Sequence, residues 1–392
     1  MAYTYKHADG TQETYQDRKR YLWLLSPFLG ALIPLGSIYF YVTGGQNSLW
    51  IIAPLIYFFG IIPALDALFG EDETNPPEAV ISQLEQDNYY RIIAWLTIPV
   101  IYIVYIVGIW FIMSQGLPLW GQILFAVTLG IAKGPANNIG HELGHKSNAL
   151  DRFGGVLALT AIGNGHFSIE HNRGHHTKVS TPEDCSSARM GETLYAFGRR
   201  DIMGALKGAW ALEALRLSRK DKPVISHHNH LILSWGASAL IALALAAWLG
   251  WAALGFILIY KFFAISVLTM ANYVEHYGLL RQKRANGKYE PCAPRHSWNA
   301  NHIFSNLLLI NLQRHSDHHA YPMRPYQALR NFEDIPQLPS GYTGCFALAY
   351  FPPLWFKVMD AKVMAWAGGD ITKVNIDPKA KEKLYQKYSS PA

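Results

Sequence analysis

Six stretches of this chain, residues 21–42, 49–69, 92–113, 117–139, 231–249 and 251–274, are apolar and almost free of charge, and no other feature narrows the fold so far. A helix rises 1.5 Å per residue, so about 20 residues cover the roughly 30 Å hydrocarbon core of a bilayer. Each stretch is therefore predicted to cross a membrane as a helix. Core helices of soluble proteins average about 11 to 12 residues and usually carry a polar stripe, a pattern that such long, sparsely charged runs do not fit. Of the 392 residues only 16% are charged and 50% are hydrophobic, where an average soluble domain is about a quarter charged. A disordered chain, a disulfide-stapled secreted domain and a collagen-like fibre are all excluded by this composition.

Charge placement gives an independent reading of topology. Of the 34 lysines and arginines, all but Arg91 and Lys261 fall in the blocks 1–20, 133–230 and 275–392, and the connectors 43–48, 114–116 and 250 contain none. Cytoplasmic loops collect Lys and Arg. Six spans with both termini cytoplasmic put every basic block inside and the three uncharged connectors outside. The first span follows a polar leader without a small-residue cleavage site and reads as a retained signal anchor. The expected architecture is an all-α integral membrane protein, one domain over 1–392, with a cytoplasmic helical cap from 140–230 and 275–392. Within the cap, 156–163 is apolar but too short to span and is expected to be re-entrant or packed beneath the bundle. The charged stretch 201–222 reads as helical, and 345–358 as lying along the interface. The net charge of +6 suits an anionic inner leaflet. No basic run interleaved with stacking aromatics points to nucleic acid. Cys185, Cys292 and Cys345 form no CxxC pair, which excludes a built-in iron–sulfur or rubredoxin-type centre of four thiolates.

The chain holds 16 histidines, and nine of them gather in four short segments: His141 and His145; His171, His175 and His176; His276; and His315, His318 and His319. All four are expected at or beside the membrane–cytoplasm boundary. Residues i and i+4 share a helix face, so His141 with His145, and His171 with His175, are each expected to grip one metal. Neighbours such as His175 and His176 point about 100° apart and can serve two adjacent metals. HExxH at 141–145 alone is the zinc-hydrolase signature, but such a site needs three protein ligands and leaves six of the nine histidines unused. Ionisable groups near a bilayer persist mainly where they have partners or a function. Neutral imidazole suits iron, zinc, copper and nickel alike, so spacing does not choose the metal.

The segments HELGHK (141–146), EHNRGHH (170–176), NYVEHYGLLRQK (272–283) and LQRHSDHHA (312–320), with LDALFGEDETNPPE (65–78) and WAGGD (366–370), resemble the integral-membrane alkane hydroxylases of the histidine-box superfamily of membrane desaturases and hydroxylases. The likeness runs over nearly the whole chain. It implies a non-haem diiron site ligated by His141, His145, His171, His175, His176, His276, His315, His318 and His319, with no other bound cofactor. It also implies O2-dependent hydroxylation of the terminal methyl of medium-chain n-alkanes to 1-alkanols, in a bacterial inner membrane. The two electrons would come from a separate rubredoxin, reduced in turn by an NAD(P)H-dependent reductase. Rubredoxins are acidic, and a basic cytoplasmic face would attract one.

Metal-bound imidazole usually donates its free N–H to a carboxylate or carbonyl, and Glu142, Glu170, Glu275 and Asp317 adjoin the histidines as candidate acceptors. An alkane offers only shape and dispersion for recognition. Phe58 and Trp110, bulky and intramembrane, are candidates for lining a substrate channel, although packing or lipid-facing roles fit them equally. The rival readings are a fatty-acyl desaturase or aryl-methyl hydroxylase of the same superfamily, a histidine-rich metal transporter and an intramembrane zinc protease. A transporter is expected to place its ligands midway through spans or in a flexible histidine tract.

Overall fold

The computed structural model describes residues 2–7 and 9–389. Five helices are long and apolar enough to cross a membrane: Leu22–Thr43, Leu49–Phe69, Asn88–Ser114, His230–Leu249 and Ala253–His276. The stretch 117–139 departs from expectation. It forms the helix Leu119–Ala132 of 14 residues, turns at Lys133 and Gly134, and resumes as Pro135–Gly144. At 1.5 Å per residue the first piece reaches only about 21 Å. The break has a local cause, because Pro135 brings no N–H to the ladder, and a proline ring crowds the carbonyl one turn before it. Among the described residues, then, five helices rather than six meet the length of a span.

Tight packing holds the broken segment in place. A Cβ at Gly130 would stand 2.5 Å from the carbonyl oxygen of Tyr260, so Leu119–Ala132 lies directly against the Ala253–His276 backbone. Pro135–Gly144 in turn crosses the helix Ala149–Ile162, where a Cβ at Gly155 would meet the Gly140 carbonyl oxygen at 3.0 Å. The predicted piece 156–163 is the second half of that helix. It ends at Gly163 with φ 75°, a left-handed cap that costs glycine little. It is packed among the spans, with Tyr102 of the Asn88–Ser114 helix donating to the Leu157 carbonyl at 2.9 Å.

The remaining polar blocks are mostly helical as well. Leu194–Ser218 carries the expected charged helix, Tyr342–Ala349 and Pro352–Trp366 follow the proline-rich residues 322–339, and Lys381–Tyr388 lies near the C-terminus. The N-terminal leader is the exception to an all-α reading. Ala2–Lys6 and Gln12–Gln16 pair as an antiparallel hairpin, with Tyr3 opposite Tyr15. Tyr3 Oη donates to Asp87 Oδ2 at 2.6 Å, and Arg20 bonds both Tyr3 Oη and Asp87, which pins the hairpin to the start of Asn88–Ser114.

Candidate metal centre

Four structural pieces converge on one buried site. Pro135–Gly144 brings His141 and, at its C-cap, His145. A short helix beginning at Phe167 widens to a π turn over His171–His175 and closes with His176–Lys178. Ala253–His276 contributes His276 as its last residue, and His315–Ala320 contributes the final three. His176 is partly exposed and the other eight are buried.

The nine side chains divide into two groups whose ligand atoms lie within 4.8 Å of one another. His141, His145, His171, His176 and His318 form one, and His175, His276, His315 and His319 the other. The adjacent pairs His175–His176 and His318–His319 split between the groups, as their angular separation on a helix requires. The expected pairing of His171 with His175 does not occur. A π turn repeats at i→i+5 rather than i→i+4, so His171 meets His176, with their Nε2 atoms 3.0 Å apart.

The chemistry of this arrangement calls for a cation. Nε2 of His318 faces Nε2 of His141 at 2.8 Å and Nε2 of His176 at 3.2 Å, and Nε2 of His176 also faces His171. In the second group Nε2 of His319 faces His315 at 2.9 Å and His175 at 3.3 Å. A neutral ring offers one donor and one acceptor nitrogen, so a nitrogen with two such neighbours cannot satisfy both. Nε2 of His145 and of His276 is buried with no hydrogen-bond partner at all. A buried lone pair left unpaired is costly, and a metal ion at the centre of each group would engage every one. Burial also keeps the rings neutral: it lowers His141 to about 3 and drives His145, His171, His176, His315, His318 and His319 well below the ordinary histidine value.

His175 is different. Burial disfavours its protonation, but the facing carboxylate of Asp184, with Glu170 and Glu275 beyond, more than offsets this and raises its pKa to about 8. Asp184 is also buried, and the His175 ring together with the bonds it accepts from Ser187 and Ser186 brings it down to about 2. His175 Nδ1 lies 2.8 Å from Asp184 Oδ2, with both side chains 1% exposed. Ser187 Oγ donates to that same oxygen at 2.6 Å and the Ser186 N–H to Oδ1 at 3.1 Å. The loop is fixed from behind by Asp201, which accepts from Ser186 Oγ and Thr269 Oγ1, both at 2.7 Å. Asp184 escaped the sequence reading because it sits in a loop nine residues from its partner, where no periodicity links them.

The four carboxylates singled out from the sequence are placed variously. Glu275 Oε2 lies 3.2 Å from His315 Nε2. Glu170 is buried beside Cys185, Oε1 to Sγ 4.0 Å, and burial pushes its carboxyl up to about 7. Glu142 pairs with Lys146 at 2.6 Å, and Asp317 with Arg324 at 2.9 Å, so neither accepts from an imidazole. Phe58 is 2% exposed within the π turn Tyr57–Ile61 of its span, and Trp110 is half-buried against the core. Of the other buried histidines, His166 packs on Trp235 and His296 pairs with Glu290, outside both groups.

Comparison with known proteins agrees with this geometry. A fatty acid desaturase family model matches residues 118–349, the part of the chain that contains all nine histidines. Alkane 1-monooxygenase 1 of Alcanivorax borkumensis is 46% identical over 381 residues, covering 97% of this chain and 94% of that protein. Alkane 1-monooxygenase of Pseudomonas putida is 44% identical over 375 residues, covering 96% and 93%. The xylene/toluene monooxygenase hydroxylase component XylM of Pseudomonas putida is 30% identical over 248 residues, covering 63% and 65%.

Proposed function

The chain belongs to the fatty acid desaturase family and, within it, to the alkane 1-monooxygenases, and from that membership we propose that its nine histidines hold two irons and that a separate rubredoxin supplies the electrons. The enzyme hydroxylates alkanes at the terminal carbon. The observation that carries the diiron reading is the division of nine imidazoles into adjoining groups of five and four, each with lone pairs turned inward. Bound there, the irons would supply O2 activation and insertion of one oxygen atom, in the net reaction RH + O2 + 2e⁻ + 2H⁺ → ROH + H2O.

The protein's own residues prepare that chemistry. Asp184 holds the Nδ1–H of His175 and so presents Nε2 as the ligand atom, fixing tautomer and ring orientation. Asp201 ties the Asp184 loop to the Ala253–His276 helix, which carries His276 in the same group. Burial of the rings excludes bulk water from the place where an oxidant would form. The substrate, soluble in the bilayer, reaches the inner ends of the spans from lipid, and bulky side chains set how far a chain of medium length can enter. Phe58 and Trp110 are assigned that limit: a Phe58→Ala variant that oxidises the same chain lengths as the parent removes Phe58 from it.

Six crossings result if Leu119–Ala132 and the start of Pro135–Gly144, as far as residue 139, traverse together, with the chain a single domain in the bacterial inner membrane and both termini and the cap, 140–230 and 275–392, cytoplasmic. The distribution of Lys and Arg supports this orientation. The cysteines are three single thiols, short of the four a rubredoxin centre needs, which supports a separate donor. The deciding experiment supplies octane or dodecane with rubredoxin, its reductase and NADH, and follows products by gas chromatography. A 1-alkanol is expected. Its absence, with oxidation of p-xylene instead, would shift the reading toward the xylene/toluene monooxygenase activity in the name of the XylM relative.

A further inference from the structure

We propose that the six-residue helix His315–Ala320 is a preset bridge between the two histidine groups, and that Arg314, Ser316 and Asp317, which tether it from behind, are positioning residues for both metals at once. This rests on the reading that the nine histidines hold two metals. His315 and His319 belong to the group of four and His318 to the group of five, and the rings of His318 and His319 stand 5.5 Å apart, centroid to centroid. Wherever this helix sits, it therefore places ligands for both groups together. Isolated helices shorter than about 12–15 residues are marginal in water, so six residues cannot keep this shape alone. Residues 315, 318 and 319 stand at i, i+3 and i+4 and share one face, whereas 316 and 317 turn away from it. The support is on that other side.

Arg314 is the N-cap residue of the helix and is 2% exposed. Its guanidinium donates to three backbone carbonyls from two distant segments, Leu329 at 2.8 Å, Asp72 at 2.6 Å and Thr74 at 3.1 Å. Ser316 Oγ donates to the Ser297 carbonyl at 2.7 Å. Asp317, fully buried, accepts from Arg324 Nη1 on both carboxylate oxygens at 2.9 Å and from the Arg330 N–H at 2.9 Å. Arg324 and Arg330 in turn both reach Glu78. Residues 70–78 and 324–330 thus enclose the helix from behind. Residues 70–78 follow directly on the Leu49–Phe69 span and are fixed at their own end by the Lys19–Asp72 pair at 2.6 Å. Each of these tethers joins protein to protein and needs no metal. The three rings are accordingly ordered before a metal arrives, and binding does not have to order them, which is how preorganisation raises affinity.

The test uses the full-length protein in detergent, reconstituted with iron, and reads irons per chain by native mass spectrometry. Arg314→Lys, whose ammonium cannot span three carbonyls as the planar guanidinium does, and Asp317→Asn are each expected to weaken iron binding in both groups together, by about 10- to 100-fold. Chains then carry two irons or none, whereas Asp184→Asn is expected to leave chains with one. Two-iron chains that remain in these variants are expected to differ from the parent in the magnetic coupling between the irons, read by Mössbauer spectroscopy. Gly130→Ala, a strained contact in the bundle, measures a merely structural loss and is expected to keep both irons and the parent's coupling. Should neither Arg314→Lys nor Asp317→Asn fold, the parent decides by itself: after removal of iron with a chelator, the amides of residues 315–320 are expected to stay as protected from hydrogen exchange as in the loaded protein. Protection lost there on metal removal, iron lost from one group only, or parental iron content and coupling in folded Asp317→Asn would overturn the bridge while leaving the two-metal reading intact. A parent that never holds more than one iron removes that reading and the bridge with it.

Discussion

Among single residues the decisive contrast is between Asp184 and Glu142. Both are carboxylates beside histidines, but Asp184 is buried against His175 and Glu142 is paired with the half-buried Lys146. Removing an outer partner of a metal-bound imidazole typically costs about 10- to 100-fold in metal affinity. Asp184→Asn is therefore expected to lose metal from the group of four on dialysis against a chelator, and to retain the other, as read by iron content per chain. A Lys146→Ala variant breaks only an i,i+4 pair, worth about 0.3–0.5 kcal/mol, and should leave the melting temperature in detergent nearly unchanged. The two groups also differ in pH response. His175 is raised to about 8 in the metal-free protein, so below that pH a metal must displace its proton, and affinity for the group of four should fall about tenfold per pH unit from 8 toward 6. His141, lowered to about 3, and its neighbours, lowered well below the ordinary value, are already neutral there. Metal in the group of five should then be insensitive across the same window, and an equal loss from both groups would contradict the assignment.

Elements decide how those residues meet. The nine histidines were legible because ionisable groups packed densely beside apolar runs stand out against any background. Their partition was not, since it depends on a π turn at His171–His175 that no i,i+4 pattern announces. The same limit applies to the stretch 117–139. Its apolar run is visible, yet Gly134 and Pro135 end the helix early, and contacts with Ala253–His276 set where the shortened helix lies. Gly130 is the point of closest approach. A methyl group there would press on the Tyr260 carbonyl, which is backbone and cannot rotate away. Overpacking of this kind costs typically about 1–3 kcal/mol. Gly130→Ala is accordingly expected to lower the melting temperature in detergent, whereas Gly36→Ala, with nothing within 4 Å of the added carbon, should not.

For the molecule as a whole, five long apolar helices stand beside one buried, histidine-rich site. The orientation has a direct test. Gln46→Cys, in an uncharged connector, is expected to react with a membrane-impermeant maleimide in intact cells, and Lys220→Cys only after permeabilisation. The reverse labelling would invert the topology. Run length determined the membrane class, because the cost of burying charge in hydrocarbon is written residue by residue, and the placement of Lys and Arg is the basis of the proposed sidedness. The boxes HELGHK, EHNRGHH and LQRHSDHHA determined the family and the set of nine imidazoles, because ligand chemistry is carried by residue type and local spacing. Tertiary structure alone decided which ring joins which group and that Asp184, rather than Glu142 or Asp317, bonds one of the nine rings. Each of these is set by helix crossings, a π turn and loop geometry that no local spacing encodes.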